Sequence, residues 1–306
     1  MKSRESAKGR IRLRELGEDQ LIAQLVAQLG SRPEVIAGPG DDCAVVAGSR
    51  KGDLLLFKTD CVVEGVHFRP NEKPAAIGWK AMMRALSDFA AMSGLPRYAL
   101  ITLVSPADRE ARWMKQLYQS LERAAARFDV AIVGGETSST RGPLIVSISA
   151  AGVVEKKRCV LRSGGKTGGV LFVTGTLGGA GKRRHLHFVP RIEEARWLTR
   201  HFRLQAMMDL SDGLGADLPR LAKASGLDFE INEGDLPRNR GCTAAQAISD
   251  GEDYELLFAL SPNDSCLLQK KWKSRFPRLS LTRIGLLIPI SDFRPPTSFH
   301  GYLHFQ

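Results

Sequence analysis

Ala75-Ala-Ile-Gly-Trp-Lys-Ala-Met-Met-Arg-Ala-Leu-Ser-Asp-Phe-Ala-Ala-Met92 reads as one long helix rich in small residues, and its neighbours decide the fold class. Before it, Leu54-Leu-Leu-Phe57 has the apolar run of a buried strand; after it, so does Tyr98-Ala-Leu-Ile-Thr-Leu-Val104. A second helix is expected over about 108–127. Strands are expected at Val130-Ala-Ile-Val133 and Leu144-Ile-Val-Ser-Ile-Ser-Ala-Ala151. This βαβ-like alternation predicts an α+β or mixed α/β chain. Upstream, Gly17 to Leu29 carries apolar residues at helical spacing, and Gly30-Ser-Arg-Pro33 ends it. A boundary is expected after Gly152-Val-Val154, followed by a Gly-rich stretch, Ser163-Gly-Gly-Lys-Thr-Gly-Gly169. The second half then reads as strand 170–174, helix 212–224, strand 228–231, strand 254–259 and helix 263–273. The expected division is a basic arm over 1–14, one domain over 15–154 and another over 155–306.

The length of 306 residues and an apolar content of 43% suit two domains with real cores. No apolar run approaches the roughly 18 residues of a membrane span. The charged start lacks the apolar stretch of a signal peptide. Five widely spaced cysteines without a Cys-x-x-Cys pair suggest reduced thiols, a cytoplasmic setting and no structural zinc. The formal net charge of +11 invites a nucleic-acid reading. Its sources are Lys2, Arg4, Lys8, Arg10, Arg12 and Arg14, then Lys156-Lys-Arg158 and Lys182-Arg-Arg184, and these runs lack interleaved aromatics. A solvated basic surface that attracts anionic nucleotides is the preferred reading.

Against that charge stand short acidic or Gly-acidic clusters: Gly40-Asp-Asp42, Lys58-Thr-Asp60, Ser87-Asp88, Gly134-Gly-Glu136, Asp209-Leu-Ser-Asp-Gly213, Ser249-Asp-Gly251 and Glu252-Asp-Tyr-Glu255. Several follow apolar runs, so each is expected where a strand ends. Carboxylates that converge at about 4 Å repel by roughly 4 kcal/mol at an effective dielectric near 20, which calls for a cation. Aspartates beside small hydroxyl residues suit magnesium. For any single Asp, a helix cap or turn explains it as well, as at Ser87-Asp88 or Ser211-Asp212. Gly134-Gly135 would let a phosphate approach backbone N–H groups.

Other motifs fail. Ser163-Gly-Gly-Lys-Thr167 lacks the first Gly of a P-loop, since Val160 stands there, and the strand follows instead of preceding. Gly175-Thr-Leu-Gly-Gly-Ala-Gly181 lacks the acidic partner of a dinucleotide loop. His185-Leu-His187 with His201 has no fourth metal ligand, so these are expected to be surface histidines.

In their order, the clusters resemble the thiamine-monophosphate kinase family, of the superfamily that includes aminoimidazole ribonucleotide synthetase and selenophosphate synthetase. The matching pieces run from Gly38-Pro-Gly-Asp-Asp-Cys43 through Thr59-Asp60, Glu64-Gly-Val-His-Phe68, Lys80 to Met92 and Ile132-Val-Gly-Gly-Glu-Thr137. They continue through Leu161-Arg-Ser-Gly164, Val173-Thr-Gly-Thr176, Asp209-Leu-Ser-Asp-Gly213, Asp250-Gly-Glu-Asp-Tyr-Glu255 and Gly301-Tyr302. The set covers nearly the whole chain from about residue 15.

The resemblance implies a two-domain PurM-like fold and a homodimer whose N-terminal sheets join into a β-barrel. It implies ATP- and Mg-dependent phosphorylation of thiamine monophosphate by direct in-line transfer, with Asp60 and Asp212 as catalytic residues. By the same resemblance, Asp42, Thr59, Asp60, Asp88, Glu136, Asp209 and Asp212 would bind several Mg2+ ions. Tyr118, Gly134, Gly135, Arg162 and Ser211 would contact ATP, and His67, Glu252 and Tyr302 would meet thiamine monophosphate. No membrane or nucleic-acid partner is implied. Three features depart from the family pattern: Glu136 replaces an Asp, Lys58 replaces a small residue before Thr-Asp, and the segment from Thr176 to Pro190 is short. A sibling enzyme with another phosphate substrate, or an impaired nucleotide-binding paralogue, remains an alternative.

Overall fold

The computed structural model describes residues 11–48, 50, 52–181, 184–290 and 299–302. Lys2, Arg4, Lys8, Arg10, Lys182 and Arg183 therefore lie outside the described residues, while Arg12 and Arg14 flank or enter a first short helix.

The first half opens with α1 (Leu13–Leu16) and α2 (Glu18–Val26), then β1 (Val35–Ala37), β2 (Ala44–Ala47) and β3 (Asp53–Val63). Next come α3 (Pro74–Ala91), β4 (Leu95–Pro106), α4 (Ala111–Ala126), β5 (Ala131–Thr140) and β6 (Ile145–Glu155). The six strands form one sheet in the order β1-β2-β3-β6-β4-β5. Only β4 and β5, the strands joined through α4, run parallel. The sheet is open within one chain, with β1 and β5 at its edges.

The second half contains β7 (Val170–Thr174), a 3-10 turn at Arg184–Leu186, α5 (Ile192–His201), β8 (Ala206–Asp209) and α6 (Leu214–Ala224). It continues with β9 (Asp228–Ile231), α7 (Ala244–Ser249), β10 (Leu256–Leu260), α8 (Pro262–Arg275) and β11 (Leu281–Ile288). Its strands form an antiparallel sheet in the order β8-β10-β7-β11-β9. None of the described helices is long and apolar enough to cross a membrane. All five cysteines are free.

Helix α3 connects the halves. Pro74 begins it, where a missing N–H costs nothing. From Ala76 to Ala91 almost every residue is buried, including Lys80, Ser87 and Asp88. The helix packs on α4, β3 and β6 of its own half and on α5 and β8 of the other. Ile77, Met82 and Leu86 share one core with Phe172, Leu198 and Phe258. Each such side chain contributes about 1.5–3 kcal/mol by leaving water. Small residues on α3 let elements approach from every side, and this carries Asp88 into the junction of the two sheets.

The acidic clusters do not all sit at strand ends as expected. Lys58-Thr-Asp60 lies inside β3, and Gly134-Gly-Glu136 lies inside β5. Both strands outlast their apolar runs because their partners do: β3 pairs with β6 from Asp53 to Val63. Ladder hydrogen bonds come from the backbone, so polar side chains do not end them. Strand alternation then separates neighbours. Lys58 and Asp60 face α3, where they meet Asp88 and Arg84. Thr59 faces the other side, with its hydroxyl 3.2 Å from that of Ser149 on β6. On that outer face Tyr98, Leu100 and Val133 are 56%, 48% and 58% exposed. Strand β10 begins only at Leu256, because Glu252 and Tyr254 hold φ of 65° and 51°, outside the β region.

Candidate active site

Asp42, from the loop before β2, Asp88 on α3 and Asp209 at the end of β8 converge where the sheets meet. Each offers a carboxylate oxygen within 4.8 Å of the other two, and all three are buried. Such crowding costs about 4 kcal/mol per pair at an effective dielectric near 20. Compensation is partial. The Lys58 ammonium lies 2.7 Å from Asp88 Oδ1. The Arg162 guanidinium donates to Asp42 Oδ1 at 2.5 and 3.2 Å, and the Ser87 hydroxyl donates to Asp209. Asp42 Oδ2 is buried with no hydrogen-bond partner. Burial, then the nearby Asp42 carboxylate, raises Asp209 to about 6. Burial pushes Asp88 well up, against the pull of Lys58. Beside them, burial and Asp42 raise Asp41 to about 6. An oxygen-only donor set with an orphaned oxygen fits a hard divalent cation such as magnesium.

Asp60 and Asp212 stand close by but are paired. Asp60 accepts from Arg84 Nε at 3.0 Å and from its terminal nitrogen at 3.2 Å. Asp212 accepts from Arg220 at 2.5 Å, while Arg220 also reaches Asp217 at 3.0 Å. A cavity of about 680 Å³ exposes Asp41, Lys58, Asp60, Arg84, Asp88, Arg162, Asp209, Ser211 and Asp212. Beside it, a cavity of about 420 Å³ is bordered by His67, Arg84, Ser211, Asp212, Glu252, Tyr254 and Tyr302. Both have the size of small-molecule sites, and they share Arg84, Ser211, Asp212 and Tyr254. Tyr302 is placed by the tail, whose Tyr302 N–H donates to the Asp212 carbonyl at 2.8 Å.

Glu252 sits at the centre of a polar knot. Lys80 Nζ lies 2.5 Å from Glu252 Oε1 and 2.6 Å from His185 Nδ1, and it also donates to the His67 carbonyl. His185 Nδ1 is 2.9 Å from Glu252 Oε2. Burial works against the Glu252 carboxylate, but His185 and Lys80 outweigh it and hold the group down at about 2. Burial lowers Lys80 to about 8. Burial, with Arg84 and Lys80 close by, lowers His67 to about 4. The positive φ at Glu252 and Tyr254 is strain of the kind that clusters at functional sites.

His185 is thus a correction: expected at the surface, it is held in this knot by the 3-10 turn of the short segment. His187 and His201 are exposed as read. The sequence reading gave no role to Lys80, Arg84 or Arg220, because their partners lie on other elements or along a helix still unplaced.

Other expected site residues lie elsewhere within one chain. Thr59 faces outward. Glu136 is exposed on edge strand β5, its carboxylate accepting from the Thr137 N–H at 3.0 Å. In register, Asp60 opposes Ile148, Ile148 opposes Ile101, and Ile101 opposes Gly135. Gly135 is therefore three strand spacings from Asp60, about 14 Å. A Cβ on Gly135 would lie 1.9 Å from the Ile101 carbonyl oxygen, so the fold alone demands glycine there. Tyr118 is 40% exposed on α4.

A family profile described as AIR synthase related protein, N-terminal domain, matches residues 40–154. A thiamine-monophosphate kinase of Rhodopirellula baltica is 36% identical over 289 residues, 89% of each chain. That of Aquifex aeolicus is 34% identical over 305 residues, 90% of this chain and 92% of the other. The chain belongs to the thiamine-monophosphate kinase family. Family membership makes it a transferase of the kinase class. A solved family structure, AaThiL complexed with AMPPCP and TMP, superposes with a TM-score of 0.81 at 32% identity, covering 96% of this chain and 99% of the other.

Proposed function

We propose that the chain transfers the γ-phosphoryl group of ATP directly to thiamine monophosphate, forming thiamine diphosphate. The observation that carries this reading is the buried Asp42–Asp88–Asp209 cluster, with its orphaned oxygen, beside a cavity lined by Arg84 and Arg162. Both reactants are phosphates, so the barrier is mostly charge crowding and placement. The acceptor oxygen is already ionised near neutral pH, so no general base is needed. This suits a site rich in carboxylates and arginines.

Asp42, Asp88 and Asp209, with Asp60 and Asp212 at the cavity wall, would hold several magnesium ions, which would neutralise charge on the phosphates. Arg162 offers a planar fork for a phosphate, and Ser211 lies where the cavities meet. Glu252 stays anionic and suits the positive thiazolium ring of the substrate, with His67 and Tyr302 as further walls. Thr59, Tyr118, Gly134, Gly135 and Glu136 fit this reading through a homodimer, in which a second copy packs on the apolar outer sheet face and closes a barrel. The halves meeting after residue 154 act as the two domains of a PurM-like enzyme working in the cytoplasm.

The test is purified protein incubated with ATP, Mg2+ and thiamine monophosphate, with products separated by chromatography. The reading expects thiamine diphosphate in step with ATP consumed, and none from Asp209→Asn. ATP binding without any thiamine diphosphate would overturn it.

A further inference from the structure

We propose that Lys58 is a resident cation of the aspartate cluster, filling with its ammonium the place that one divalent ion would otherwise take. The inference deepens the proposed function and rests on the cluster being its metal site.

The lysine comes from the middle of β3, where strand alternation turns it toward α3 alongside Asp60. Its nitrogen lies 2.7 Å from Asp88 Oδ1, the distance of a charge-assisted hydrogen bond. The pair is largely enclosed, with side-chain exposures of 24% for Lys58 and 10% for Asp88. The ammonium therefore stands inside the cluster as a positive charge against the Asp88 carboxylate.

The three carboxylates face two cationic side chains, Lys58 and Arg162, which leaves one negative charge. One divalent ion then reverses the sign of these three carboxylates, so any further ion would have to rest on Asp60 and Asp212 at the cavity wall. The oxygens agree with the charges. Asp88 Oδ1 is taken by Lys58 and Asp42 Oδ1 by Arg162, whereas Asp42 Oδ2 is buried, unpartnered and open to one ion. A lysine supplies one positive charge at about 2.7–2.9 Å, where magnesium supplies two at about 2.0–2.1 Å. The substitution keeps the cluster folded while lowering the number of ions it holds.

Mn2+ binding to the full-length protein, followed calorimetrically without ATP or thiamine monophosphate, tests the proposal. Lys58→Met is expected to bind one more Mn2+ per chain than the unaltered protein. Lys58→Arg keeps the charge and is expected to bind the same number as the unaltered protein. If Lys58→Met does not fold by circular dichroism, Lys58→Gln serves as the neutral variant with the same expected gain. Equal ion counts in the neutral variant and the unaltered protein would overturn the proposal, as would Mn2+ uptake at the cluster that survives Asp209→Asn. No turnover is read, so a chain that binds the extra ion yet forms no thiamine diphosphate refutes the proposed function and leaves the role of Lys58 standing.

Discussion

Two clusters of buried charge lie within one cleft and are built in opposite ways. Around Glu252, Lys80 and His185 balance the carboxylate and hold it anionic at about 2. At Asp42, Asp88 and Asp209, carboxylates outnumber cations, burial raises Asp209 to about 6, and one oxygen has no partner. The knot is thus balanced in charge, although Glu252 Oε1 is held by its ion pair with Lys80 and has no hydrogen-bond partner, whereas the aspartate cluster is short of cations. The difference teaches that acidity alone does not mark a cation site; the deficit of cationic side chains does. Asp60 and Asp212 belong with the balanced group, since Arg84 and Arg220 hold them.

Substitution breaks this comparison most sharply. Asp209→Asn is expected to lower kcat by about a thousandfold or more, as losing a key electrostatic contact does. It should leave the metal-free melting temperature unchanged or higher, because it removes repulsion. Asp60→Asn should lose activity as well but also lower the melting temperature, since it strips Arg84 of its partner. A metal-free Asp209→Asn protein that melts well below the unaltered one would refute the contrast.

A smaller effect is expected from pH. In EDTA, Asp209 gives stability that is fully present below about pH 4 and lost as pH rises through about 6, worth up to about 3 kcal/mol. Glu252 works the other way: its contribution is present above about pH 4.5 and lost as pH falls toward 2. Between pH 4.5 and 6.5 Asp209 and Asp41 should together lower the urea midpoint with rising pH, His67, held near 4, should offset part of that fall, and Mg2+ should flatten it. At a hundredfold excess over its dissociation constant, the metal would add about 2.7 kcal/mol.

The smallest effect is expected at the knot. Lys80→Met leaves Glu252 with His185 and should cost about 2 kcal/mol of stability, read by urea denaturation, with no change in Mn2+ binding. A change in metal stoichiometry in this variant would erase the distinction between the clusters.

Much of the site was legible in the sequence, because Asp42, Asp88 and Asp209 each sit in a short motif whose order is distinctive. The long buried helix and most apolar strands were legible too, since a single period accounts for each. The arginine and lysine partners were not, because pairs such as Arg84 with Asp60, or Lys80 with His185 at 105 positions' separation, form only once α3 is placed. Strand length beyond the apolar runs was set by pairing partners, which is why β3 and β5 swallow Thr59-Asp60 and Gly134-Gly-Glu136. One signal was available and unused: adjacent residues of a strand point to opposite faces, so Thr59 and Asp60 cannot turn to the same ion within one sheet.

The most direct test of the central claim is anomalous scattering from a crystal grown with Mn2+. The account predicts a peak among the carboxylates of Asp42, Asp88 and Asp209. Density only at other carboxylates, with none at this cluster, would contradict it.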